Sequence, residues 1–344
     1  MSSPGRPTTP RPTRTTVAGM RLLLTAVVIA VSLSIDLNAL AVVALLFAIV
    51  VPFERLFPRH RQRLRRPAVG TDLAYALSAP ILQVLGTAGA ILVSVLSLFW
   101  LPALVLRPAV EALPDGLRIA LGILLFDLVS YWAHRFAHEI PAGWRFHKVH
   151  HSTEQLDWVS GFRGHPFDGL LLAPPIVFLL AAGFSAELSG VLAAVQFGLG
   201  LFLHANVRWR WRPLHRIVIT PEFHHWHHSN EPDAHGTNYS VGLPLWDIIF
   251  GTYRVPADRR PRRYGIDEPM PTGMLAQLWE PLRDLPRPPA VARHPWRSTR
   301  LGWRWLRHTV AAMLAILAHP RRPRLGVVPT AGRAADAIQT AGVR

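Results

Sequence analysis

The sequence predicts an all-α fold, a multi-span transmembrane helical bundle topped on its cytoplasmic side by a histidine-rich helical cap. Three observations carry that prediction. Half of the 344 residues are hydrophobic and gather into long runs, several near the roughly 20 residues with which a helix crosses a bilayer. Arginines flank those runs, as they do on the cytoplasmic face of membrane proteins. Histidines cluster where apolar runs end, at spacings of three and four that share one helix face.

Residues 1–17, MSSPGRPTTPRPTRTTV, hold too little apolar surface to fold and are expected to be a disordered cytoplasmic tail. Residues 18–116 supply the N-terminal transmembrane helices. Two helical runs come first, about 20–35 and 39–53, parted by Asp36 and Asn38, and the next loop carries six arginines between Arg55 and Arg66. From Asp72 to Leu106 the chain is almost continuously apolar. At about 1.5 Å per residue it exceeds a bilayer core of roughly 30 Å, so one tilted or broken span plus an interfacial portion is expected.

A third unit, 117–254, opens with a helix from Leu117 whose last turns carry His134 and His138. Residues 169–204 form an apolar block interrupted at Ser185–Ser189, which reads as a helical hairpin. Counting spans from a cytoplasmic N-terminus brings every histidine cluster to the arginine-rich cytoplasmic face. Residues 255–344 read as a Pro- and Arg-rich cytoplasmic tail, with TVAAMLAILA as a possible membrane-surface helix.

The formal charge of +16 is almost all arginine, since Lys148 is the only lysine. Nucleic acid is not the expected partner, because the arginines flank apolar runs and no separate basic soluble module is visible. Without cysteine the chain has no disulfide, no thiolate metal site and no Cys nucleophile, so any metal is held by nitrogen or oxygen. Arginine in place of lysine and the lack of cysteine suit a bacterial protein of a high-GC genome. The membrane expected is therefore the bacterial plasma membrane.

Three histidine clusters occur: HRFAH at 134–138, HKVHH at 147–151 and HHWHH at 224–228. Helical spacing puts His134 above His138, makes a triangle of His147, His150 and His151, and groups His224, His227 and His228. His225 then points about 100° away. Eight imidazoles from three helix ends exceed the shell of one divalent ion, so the cap is expected to hold a di-metal site. Imidazole alone does not choose among iron, zinc, copper and nickel. Zinc hydrolases need fewer ligands, and HExxH is absent because Ile140, Pro141 and Ala142 follow His138-Glu139. An iron pair with open positions for dioxygen fits the ligand number better.

Isolated histidines at a membrane interface are mostly structural, which covers His60, His215, His294, His308 and His319. His204, ending the apolar LGLFLHAN, is expected to need a partner. His165 in RGHPFD reads as a loop histidine, a group supporting a ligand, or a further ligand.

These segments resemble the fatty acid hydroxylase and sterol desaturase superfamily of integral-membrane di-iron oxygenases. HRFAH is similar to its HxxxH box, HKVHHS and HHWHHS to its two HxxHH boxes, and FRGHP, LHAN, TPEFHHWHHS, NYS and LPLWDIIFGTYR follow in the family's order over about 117–254. The resemblance implies that His134, His138, His147, His150, His151, His224, His227 and His228 bind two iron ions, with His204 a ninth ligand. It implies no catalytic residue beyond the ligands. Where some members have a histidine four residues after the position matching His204, this chain has Arg208, so His165 or water is left to complete the shell. The expected reaction is O2-dependent hydroxylation or desaturation at a C–H bond of a membrane lipid of sterol, carotenoid, ether-lipid or fatty-acyl type. Imidazole ligands need hydrogen-bond acceptors behind them, for which Glu154, Asp157, Asp168, Asn206 and Asp247 are candidates. No fused cytochrome b5 segment is seen, so an external donor, a ferredoxin or cytochrome b5-like protein, is expected to dock on the arginine-rich face, a face equally suited to anionic lipid. The competing readings are a histidine-rich metal transporter and a zinc-dependent membrane hydrolase.

Overall fold

The computed structural model describes residues 14–96, 100–171, 173–210, 212–283 and 295–318. Most of the expected N-terminal tail lies outside the described residues, as do His294, His319 and the chain end. The helices are α1 (Arg14–Ile35), α2 (Asn38–Leu56), α3 (Val69–Leu96), α4 (Leu101–Glu111), α5 (Asp115–Glu139), α6 (Pro141–His151), α7 (Ala173–Ala181), α8 (Ala186–Leu203), α9 (Pro221–His227), α10 (Leu245–Phe250), α11 (Met274–Trp279) and α12 (Pro295–Ala318). Among the described residues there is no strand, only two isolated bridges, Pro58 with Val207 and Ser229 with Tyr264.

Four stretches are long and apolar enough to cross a membrane: Val17–Ile35, Val69–Leu96, Asp115–Glu139 and Ala186–Leu203. Their surfaces are inverted relative to a water-soluble bundle. Leu22 is 73% exposed and Leu92 59%, whereas Asp72 and Arg135 are fully buried. Lipid solvates apolar side chains but no polar group, so the polar residues must find partners inside.

The apolar block from Asp72 is broken, as α3 ends at Leu96 and the short α4 begins at Leu101. At 28 residues, α3 reaches about 42 Å, enough to cross the hydrocarbon core and carry Asp72 and Tyr75 into the cap. The expected hairpin is unequal. The nine-residue α7 is too short to span, and Ser185 caps the full-length α8 by accepting from the Leu188 N–H at 3.2 Å. Packing among α4, α5 and α7 buries Ala103, Phe126 and Leu179.

The cap is built where α5 turns into α6. Only Ile140, in extended conformation, separates the two helices. A Cβ at Gly143 would lie 2.7 Å from the Ala137 Cα, so only glycine lets the first turn of α6 cross the last turn of α5. The chain after Arg254 returns to this corner. Lys148 donates to Glu268 at 2.9 Å and to Glu280 at 3.4 Å, Arg145 donates to the Pro281 carbonyl, and Met274 of α11 is buried.

Candidate metal centre

Pro221 at the first helical position and the Thr220 side chain, which accepts from the Phe223 N–H at 3.3 Å, start α9 three residues before its first histidine. The ends of α5, α6, α8 and α9 then converge, and nine histidines fall into two groups. The first is His134, His138, His147, His151 and His227; the second is His150, His204, His224 and His228. Within each group one nitrogen per ring lies within 4.8 Å of all the others. The groups adjoin, with the His151 and His228 rings stacked at 4.2 Å.

The division does not follow the sequence clusters. Partners at i and i+4 stay together: His134 with His138, His147 with His151, His224 with His228. The remaining histidine of each HxxHH box, His150 or His227, crosses to the other group. His204, the C-cap of α8, completes the second.

Backbone carbonyls orient four of the nine rings. Nδ1–H donates from His134 to the Tyr239 oxygen at 2.7 Å, from His227 to Thr237 at 3.0 Å, from His150 to Arg163 at 2.8 Å and from His204 to Gly200 at 2.6 Å. His147 Nδ1 faces Asp168 Oδ1 at 3.4 Å without forming a hydrogen bond. With the proton on Nδ1, Nε2 of each of the four hydrogen-bonded rings presents a lone pair. Yet Nε2 of His150 lies 3.2 Å from Nε2 of His204. Two lone pairs at that distance repel, and neither ring has a proton left to bridge them. A shared cation removes the conflict, since nitrogens about 2.0–2.1 Å from one ion lie roughly 3.0–3.4 Å apart. His228 makes the same point, because it is buried with neither ring nitrogen hydrogen-bonded, a cost of about 1–3 kcal/mol per group without a ligand.

Burial keeps these rings neutral, the state that binds metal. Desolvation lowers the pKa of His147 to about 3 and of His150 to about 4, and drives His151, His224, His227 and His228 well below the ordinary histidine value. Neighbouring imidazoles push the last four and His150 further down.

Of the remaining candidates, Asp168 stands behind His147 rather than beside an Nε2. His165 is not in either group: Nε2–H donates to the Leu278 carbonyl at 3.1 Å and Nδ1 accepts from the Phe167 N–H at 3.1 Å. Asn206 spends its amide on the backbone of His60, and its own N–H donates to Glu54. Asp157 caps the short helix Trp158–Phe162 and pairs with Arg66, while Glu154 is exposed. Asp247 acts at one remove, holding the Tyr239 and Ser240 N–H groups at 2.9 and 2.8 Å and so fixing the carbonyl that orients His134. His225 lies outside both groups, bonded to Tyr264 and to the Ala205 carbonyl.

Sequence reasoning missed Arg163, which is buried against Asp72 at 2.5 Å and whose carbonyl holds His150. It also missed Tyr239, which packs 5.3 Å from His138 and donates to Glu139 at 3.2 Å. A cavity of about 720 Å³ opens on His138, His151, His227 and His228, with Trp144, Tyr239 and residues of α12 in its wall. Its charged lining is Glu139, Asp267 and Glu268, with no arginine or lysine.

Residues 119–252 match the Fatty acid hydroxylase family. The chain is 32% identical over 264 residues to an ornithine lipid hydroxylase of Rhizobium tropici, covering 72% of this chain and 76% of that protein. It is 31% identical over 157 residues to an alkylglycerol monooxygenase of Danio rerio, covering 44% of this chain and 33% of that protein. Over 140 residues it is 29% identical to a very-long-chain aldehyde decarbonylase of Oryza sativa subsp. indica, covering 37% of this chain and 21% of that protein. No solved structure matches the chain.

Proposed function

The chain belongs to the fatty acid hydroxylase family, and on that premise we propose an O2-dependent, di-iron membrane lipid hydroxylase, an oxidoreductase. The observation that carries this reading is the pair of imidazole groups, with Nε2 lone pairs facing each other in the second. Nine nitrogen donors in two adjoining sets suit two irons better than one zinc. Two of the relatives are named hydroxylase and monooxygenase, which favours hydroxylation over desaturation. The relative matched over most of its length acts on ornithine lipid. A lipid with an amine-bearing headgroup is accordingly the proposed substrate.

When bound, the metals supply dioxygen activation, which no side chain provides. The chain's own work is positioning. Histidines at 134, 138, 147, 151 and 227 would hold one iron, and those at 150, 204, 224 and 228 the other. The carbonyls of Tyr239, Thr237, Arg163 and Gly200 keep four of the Nε2 atoms aimed. The rings of Trp144 and Tyr239 line the cavity, where they would shield a lipid chain from water. The proposed setting is the bacterial plasma membrane, with the cap in the cytoplasm and an external protein supplying electrons.

Metal analysis of purified protein tests the centre: near two irons per chain is expected, and one zinc per chain or a variable metal load would sink it. Comparing lipids from cells with and without the protein under ¹⁸O₂ should give one lipid heavier by a single labelled oxygen. A product lacking two hydrogens and unlabelled would replace hydroxylation by desaturation.

A further inference from the structure

The carboxylate-lined cavity is not the only concavity near the centre. A second, of about 670 Å³, is lined by Arg55, Arg59, His60, Arg61, Asn206 and Arg208, together with the buried Glu54 and with Asp157, which pairs with Arg66. Arg55, Arg61 and Arg208 are exposed and form no ion pair with a carboxylate among the described residues. Arg59 is different: it is buried and spent on Glu222 at 3.1 Å. Four arginines against two carboxylates leave this second cavity net basic, whereas the charged residues of the first are all acidic.

His60 in the wall of the basic cavity begins a hydrogen-bonded line that runs inward. Its Nε2 lies 3.1 Å from Tyr264 Oη, which lies 3.0 Å from His225 Nδ1, and His225 Nε2 lies 3.1 Å from the Ala205 carbonyl. The proton positions follow from the far end. A carbonyl only accepts, so His225 Nε2–H donates to Ala205, its Nδ1 accepts from the Tyr264 hydroxyl, and the tyrosine oxygen accepts from His60. Asn206 pins His60 by accepting from its N–H at 2.9 Å and donating to its carbonyl at 2.8 Å. At the inner end His225 adjoins His224 in the chain, and Ala205 adjoins His204. Both are members of the four-histidine group.

We infer that this basic cavity is the docking site of an acidic one-electron carrier protein, and that His60, Tyr264 and His225 position its electron route to the four-histidine group. The inference rests on the di-iron reading above. Hydroxylation balances as R–H + O2 + 2 e⁻ + 2 H⁺ → R–OH + H2O, so each turnover draws two electrons, delivered singly by the reduced carrier. Unpaired arginines attract an acidic partner and speed its encounter at low salt. Contact through hydrogen bonds and covalent bonds conducts electrons better than empty space, and this line leaves few through-space gaps. An anionic bilayer would meet the same arginines, but gives no reason for a directed line from them to the metals.

The test uses the iron-loaded protein in nanodiscs of zwitterionic phosphatidylcholine. Reduction is followed by stopped flow with a reduced acidic [2Fe–2S] ferredoxin and, separately, with reduced methyl viologen, which is small enough to enter the 720 Å³ cavity. Arg61→Glu and Arg208→Glu together should slow the ferredoxin reaction at least tenfold at low ionic strength and remove most of its salt dependence. Tyr264→Phe should slow electron transfer within the complex at least tenfold without changing ferredoxin affinity. Viologen rates should stay within twofold throughout. Ferredoxin rates within twofold of wild type in both variants would overturn the proposal. So would loss of binding to phosphatidylglycerol vesicles in the charge-reversed variant with ferredoxin reduction intact, which would make the face a lipid contact. A wild-type chain without reducible iron would instead bring down the metal reading, an outcome visible before any variant is made.

Discussion

Asp168→Asn should weaken one metal position and spare the other. Asp168 is the only carboxylate at ion-pair distance from any of the nine imidazoles among the described residues, 3.4 Å from His147 Nδ1. A full charge pair at that separation contributes about 5 kcal/mol at an effective dielectric of about 20. The imidazole carries only a fraction of the metal's charge, and asparagine removes the carboxylate's charge without removing a hydrogen bond, since His147 Nδ1 makes none. The expected loss is therefore about 1.4–2.8 kcal/mol, a 10–100-fold weaker metal affinity. It should fall on the five-histidine group, because His150 and His204 of the other group lean on backbone carbonyls that the substitution leaves alone. Chelator competition on detergent-purified protein, with iron measured at each step, should show one equivalent leaving early and the second leaving at the wild-type concentration. Two equivalents released together, or a curve unchanged from wild type, would refute this account of how His147 is held.

Three further outcomes are expected. His224→Ala should lose iron, whereas His225→Gln should keep it, because His225 is bonded to Tyr264 and Ala205 rather than placed in either group; equal iron loss would contradict the two-group arrangement. Glu222 is buried and faces Arg59 at 3.1 Å, Arg210 at 3.6 Å and Arg260 at 3.9 Å, so Glu222→Gln strands the fully buried Arg59 and leaves two half-buried arginines beside it. The cost should be about 3–5 kcal/mol in thermal or denaturant unfolding, and a loss under about 1 kcal/mol would show that water screens the cluster. Metal-free protein should destabilise in acid. The unfolded chain protonates histidine near pH 6.5, while His147 and His150 resist to about 3 and about 4. Stability is thus full above about pH 6.5 and falls as pH drops through that window, because the unfolded state binds protons that the folded state does not. A flat stability profile from pH 7 to 4 would mean that the rings are hydrated.

The helices and the nine histidines were legible because they depend on local rules: apolar run length for the spans, i, i+4 spacing for the helical faces. The separation of His225 from its neighbours followed from the same 100° per residue. The split of each HxxHH box was not legible, since it depends on the angle at which α6 and α9 approach each other, set by packing across distant segments. Nor were the groups that hold the rings. Carboxylates attract attention in a sequence, yet the four hydrogen-bond acceptors behind the rings are all main-chain oxygens, which every residue carries. Asn206 misled for a related reason. It sits two residues beyond His204, but the chain turns out of α8 at that point and gives its amide to His60. The buried Arg163 looked like one more arginine of a basic chain, because its partner Asp72 lies 91 residues away.

Because each HxxHH box donates its i and i+4 members to one group and its i+3 member to the other, the gap between the two metal positions is gauged by the rise of an α-helix. Loops can lengthen, or the apolar spans can change to admit another lipid, without altering that gauge. A residue inserted inside HKVHH or HHWHH would do the opposite. It would leave every histidine present and the composition almost unchanged, while reassigning ligands between the two positions. The boxes therefore function as calibrated spacers as well as sources of nitrogen, and their internal length is the quantity that a redesign of this enzyme must hold constant.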